Sequence, residues 1–111
     1  EFLAALALRH RQLLVDRTVA LLRRNLGVLN AFMDEHTAKF VWHPPIAGPI
    51  AFPALTGSGE SVDAEAFCER LVRETGVLLL PGTVYDVPGH VRIGFGRRDL
   101  AEALTKIGRA L

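Results

Sequence analysis

An α+β fold is what this sequence predicts: a small mixed or antiparallel sheet with helices packed on one of its faces. Three observations carry that expectation. Apolar residues recur at helical spacing over residues 2–33, and short β-branched or aromatic runs further on are closed by proline and glycine. The tail then returns to helical spacing behind an aspartate placed to cap it. Half of the 111 residues are apolar, enough for one modest core, so a single domain over residues 1–111 is expected. It divides into a helical lead-in at 1–36 and a sheet-and-helix body at 37–111.

In the lead-in, Leu6, Leu13, Leu14, Leu21, Leu22, Leu29, Phe32 and Met33 recur on a helical period, with Arg9, Arg11, Arg17, Arg23 and Arg24 between them. One long helix, or two joined near residues 25–27, is expected. The arginines read as the wet face of an amphipathic helix. Glu1 is not a methionine and the chain enters helical periodicity at once, without a cap, which predicts a cut piece. Residues 39–42 read as a short strand stopped by Pro44 and Pro45, which lack backbone donors. A second strand at 50–55 is confined to an edge, or loses its pairing, at Pro53.

A Gly-Ser-Gly turn at 57–59 follows, and then Asp63 or Ser61 caps a helix whose buried face is Phe67, Cys68, Leu71 and Val72. Gly76 ends that helix in the left-handed conformation. The apolar run 77–80, closed by Pro81 and Gly82, and residues 90–95 read as two more strands. Last comes a helix in which Asp99 and Glu102 form a capping-box-like start and Leu100, Leu104, Ile107 and Leu111 form the buried stripe.

Thirteen basic side chains against twelve acidic ones leave a formal charge of +1, so no global field favours nucleic acid or an anionic membrane. No apolar run approaches the ~20 residues a membrane helix needs. The lone Cys68 has no disulfide partner and no export-type leader precedes it, which points to a cytoplasmic setting. Cys68 reads as core packing. His10, His36, His43 and His90 are scattered without ligand-like spacing, so neither a metal site nor a general base is expected from them.

The strand at 90–95 carries the one promising side chain. Alternation sends Val91, Ile93 and Phe95 to one face and His90, Arg92 and Gly94 to the other. Gly94 leaves open space beside Arg92, whose planar guanidinium can meet both oxygens of a carboxylate. By alternation alone, a solvated arginine on a wet sheet face is the favoured reading.

Gly-Val-Leu-Leu-Leu-Pro-Gly at 76–82, a short loop, His-Val-Arg-Ile-Gly-Phe-Gly at 90–96 and a closing helix together resemble the end of fold-type I, class I/II pyridoxal-phosphate-dependent aminotransferases. The helix at 64–75 and the proline- and glycine-rich stretch at 40–52 are similar to the segments that precede it in that family. The likeness runs over essentially the whole chain, so it implies that family's carboxy-terminal small domain, with residues 1–36 leading in from the large domain.

The resemblance implies that Arg92 grips the substrate α-carboxylate, and that Trp42, Gly48 and Tyr85 lie near the substrate side chain. It implies an amino-acid or 2-oxo-acid substrate, a homodimer when complete, and pyridoxal phosphate bound by a missing large domain. The family's Schiff-base lysine lies upstream of the matched region. This chain's two lysines, Lys39 and Lys106, occupy no such motif, so the piece alone is expected to hold no cofactor and to be inactive. Carbon–sulfur lyases and decarboxylating or cyclising enzymes share the same small domain. Two other classes stay open: a free-standing carboxylate-binding or regulatory module, and a dimerisation domain with an apolar patch along residues 2–22.

Overall fold

The computed structural model describes residues 1–57 and 62–111. The turn expected at 57–59 and the Ser61 cap fall wholly or partly outside the described residues. Helices α1 (Phe2–Arg9) and α2 (Arg11–Glu35) open the chain, followed by strands β1 (Phe40–Val41), β2 (Ile50–Ala51) and β3 (Ala54–Leu55). Helix α3 (Ala64–Thr75), strand β4 (Leu80–Pro81), a 3-10 turn (Gly82–Tyr85), strand β5 (Val91–Gly94) and helix α4 (Leu100–Ala110) complete it. The α+β expectation holds and the sheet alternative resolves to antiparallel: β1 pairs with β3, and β5 lies between β2 and β4.

The lead-in is two helices, but they join at His10 rather than near residues 25–27. His10 sits at φ −103 and ψ 19, and its N–H divides between the carbonyls of Leu6 and Ala7, each at 3.2 Å. Gly27, the expected weak point, is interior to α2. Its intrinsic penalty, about 1 kcal/mol against alanine, is outweighed because Asn25 and Leu29 on the same turns are buried in the body. Asn25 was not foreseen as a core residue. Its side-chain Nδ2 donates to the carbonyls of Phe95 at 2.7 Å and Arg97 at 2.6 Å, tying α2 to the exit of β5.

Pro53 acts as expected, separating β2 from β3 so that the two pair with different partners. Its carbonyl still accepts from Val91 N–H at 3.0 Å. The strand expected at 77–80 is shorter and later, because β5 offers pairing only to Leu80 and Pro81; Leu78 is left exposed. Pro81 is tolerated there as a member of an edge strand.

Asp63 caps α3, its Oδ1 accepting from Glu65 and Ala66 N–H at 3.0 Å each, and Gly76 closes the helix at φ 74. Phe67, Cys68 and Leu71 face the core as predicted. Val72, one position further round the helix, lies at an exposed rim instead.

The capping box on α4 does not form. Asp99 stands at the cap position, but its carboxylate is taken by Arg97, whose Nε and Nη2 reach it at 3.0 and 3.2 Å, and Glu102 pairs with Lys106 at 2.9 Å. A charged fork two residues away outcompetes a backbone N–H for the same oxygens. Leu100, Leu104 and Ile107 of α4 pack with Leu29, Met33, Leu71 and the inner face of β5 into one core. No helix of the described residues is long and apolar enough to cross a membrane.

Candidate carboxylate-binding site

Strand β5 divides its side chains as alternation requires. Val91, Ile93 and Phe95 are buried, while Arg92 is half-buried on the opposite face and Gly94 is open. Neighbours on both sides fix the backbone of Arg92: Leu80 is its partner across β4, and Ala51 pairs with the adjoining Ile93. A rigid strand thus carries the guanidinium. A Cβ on Gly94 would meet nothing within 4 Å, so the gap beside Arg92 is real. No carboxylate of the described residues forms an ion pair with Arg92.

Around the guanidinium lies a shallow depression lined by Ile50, Phe52, Tyr85 and Arg92. Arg92 Nη1 donates to the Tyr85 hydroxyl oxygen at 3.2 Å. The Tyr85 ring meets Phe52 edge-on at 6.0 Å, and Phe52 in turn stacks on His90 at 5.1 Å and 22°. Tyr85 reaches this place because the 3-10 turn folds back on the start of β5. Gly82 N–H donates to the His90 carbonyl at 2.6 Å, and Val87 N–H donates to the Gly82 carbonyl at 3.0 Å. Only glycine fits at 82: a Cβ would run into the Val87 carbonyl oxygen and lie 2.9 Å from His90 Cβ. The Pro81-Gly82 motif therefore sets the distance between Tyr85 and Arg92.

Of the residues singled out in the sequence, the structure brings together Arg92 and Tyr85. Trp42 packs against the core near β1, and Gly48, at φ 82, precedes Pro49, whose carbonyl accepts from Phe95 N–H at 2.8 Å; neither lines the depression. Ile50 and Phe52 were not singled out for it, whereas His90, which alternation places on the Arg92 face, stacks on Phe52 behind the lining. Alternation across the β2–β5 pair is the signal that finds Ile50, since it stands opposite Gly94.

The remaining candidates are accounted for locally. His36 closes α2, its Nδ1 2.7 Å from the Phe32 carbonyl oxygen. Cys68 is buried, and desolvation pushes its thiol up to about 11, away from nucleophilic use. Among the described residues no cluster of His, Cys, Asp and Glu is arranged to hold a metal ion. Lys39 is exposed in the turn before β1 and Lys106 is tied to Glu102. Neither lysine lines the Arg92 depression, so these residues do not fit a covalently held pyridoxal phosphate.

No protein-family model matches the chain. Over 113 aligned residues, covering all of this chain, it is 30% identical to capreomycidine synthase of Streptomyces vinaceus and spans 28% of that protein. A PLP-dependent aminotransferase from Streptococcus suis shares the fold with a TM-score of 0.86 and 30% identity, over 97% of this chain and 28% of that one. The chain is a relative of the pyridoxal-phosphate-dependent aminotransferases and matches their small domain. The PLP-dependent cyclase OrfR matches this aminotransferase-type domain too, with a TM-score of 0.84 and 31% identity over 95% of the chain and 29% of the cyclase. The chain spans less than a third of the length of these relatives.

Proposed function

We propose that this chain is the substrate-binding small domain of a PLP-dependent aminotransferase, in which Arg92 clamps the α-carboxylate of an amino-acid or 2-oxo-acid substrate. The carrying observation is the half-buried guanidinium on the non-core face of β5, free of any described carboxylate and open on the Gly94 side. In this reading a large domain supplies pyridoxal phosphate and its lysine, the complete enzyme is a cytoplasmic homodimer, and the 111-residue piece alone is inactive. The cofactor supplies the electron sink for breaking a bond at the α-carbon.

This chain's part is binding and orientation. Two parallel N–H donors fix both carboxylate oxygens and so the direction of the α-carbon. Ile50 and Phe52 give the bound molecule an apolar floor and keep water from the guanidinium's flank.

Steady-state kinetics of the full-length protein test the reading. Arg92→Lys keeps the charge and loses the fork, so kcat/KM falls about tenfold or more; Arg92→Ala falls further, by roughly two powers of ten. Thermal unfolding stays close to wild type in both. Wild-type kinetics of Arg92→Ala toward every amino acid tried would overturn the clamp.

A further inference from the structure

The gap that admits a ligand beside Arg92 also removes lateral support from a long, flexible side chain, because Gly94 offers it no wall. Support comes from the other flank. Tyr85 Oη accepts from Nη1 at 3.2 Å, and the Tyr85 ring is itself held edge-on by Phe52, which stacks on His90. Tyr85 is further fixed by the close approach of the turn at Gly82 to the His90 backbone.

We infer that Tyr85 is a positioning residue for Arg92: its hydroxyl oxygen holds one guanidinium nitrogen and so sets the plane in which the remaining donors meet a carboxylate. The inference rests on the carboxylate-clamp reading. A phenol suits the task chemically. It is a neutral acceptor, so it orients the guanidinium without neutralising it, whereas a carboxylate at the same place would compete with the substrate for the charge. Four of the five guanidinium N–H groups stay available for the ligand. The aromatic ring also closes one side of the depression, so the hydroxyl and the apolar wall arrive on one residue.

The test uses the full-length enzyme with Tyr85→Phe, which removes the hydroxyl and keeps the ring against Phe52. KM for amino-acid substrates rises roughly three- to tenfold, as expected for one hydrogen bond lost, while kcat stays within about twofold. The dissociation constant for hydrocinnamate, a carboxylate that undergoes no reaction, rises by the same factor in calorimetric titration. In an Arg92→Ala background the same substitution has no further effect on hydrocinnamate binding, because the hydroxyl then has nothing to hold.

Two results overturn the inference. One is an unchanged hydrocinnamate affinity in Tyr85→Phe while Arg92→Ala is impaired, which leaves the clamp standing. The other is an equal loss in both backgrounds, which makes Tyr85 an independent contact. If Arg92→Ala is itself silent, the clamp and this inference fall together.

Discussion

In the opening helices Phe2 and Leu13 are 78% and 70% exposed, whereas in the body Phe95 and Leu104 are 1% and 3% exposed. The two regions draw on the same apolar residues at regular spacing, yet only one buries them. What separates them is the arrival of a second element. Helix α4 meets both α2 and α3 and closes the core, while α1 meets α2 and has no buried residue, in a molecule 52 Å along its longest axis. An apolar stripe on a helix states that a partner surface is needed; it does not state where that surface comes from.

The boundary between the regions falls at Asn25, the first buried residue of α2. Two substitutions probe the body side of it. Phe95→Ala leaves a cavity where β5, α2 and α4 meet, and urea unfolding of the chain should show a loss of about 3–5 kcal/mol. A loss below about 1 kcal/mol would mean that the body is not the stable unit. Asn25→Ala removes the amide that serves the Phe95 and Arg97 carbonyls and should cost about 2 kcal/mol by the same measurement. If Asn25→Ala is neutral, α2 is held by Leu29, Phe32 and Met33 alone and the boundary lies further along the helix.

How much of this was legible in the sequence follows the same division. Features decided by one or two neighbouring residues were readable: the Asp63 cap, the left-handed Gly76, the interruption at Pro53 and the two faces of β5. Those decided by competition between distant groups were not. Gly27 could not be known to sit beside an anchored turn, and Asp99 was claimed by Arg97 before it could cap α4. The placement of Arg92 on the non-core face beside an open Gly94 was readable because alternation and a glycine neighbour are local. Phe52 was missed because its place beside Tyr85 depends on a turn that folds back across β5, and Trp42 and Gly48, carried over by likeness, lie away from the depression.

The smallest expected effect on folding lies on the other side of the boundary and sharpens the comparison most. Leu3 and Leu13 are exposed and lie outside the body's core, so the double substitution Leu3→Ser, Leu13→Ser should change the unfolding free energy of the chain by no more than about 0.5 kcal/mol. Its effect should appear in association instead. With Phe2, Leu8 and Val15 exposed as well, the two opening helices present more apolar surface than an isolated chain tolerates at high concentration. Sedimentation should show the unsubstituted chain gaining mass as concentration rises and the double variant shifting toward the monomer. A substituted chain that loses 2 kcal/mol of stability would place Leu3 and Leu13 in the folding core after all. An unsubstituted chain that stays monomeric at every concentration would show that these exposed stripes do not drive self-association, and the contrast between the two regions would then lie in exposure alone.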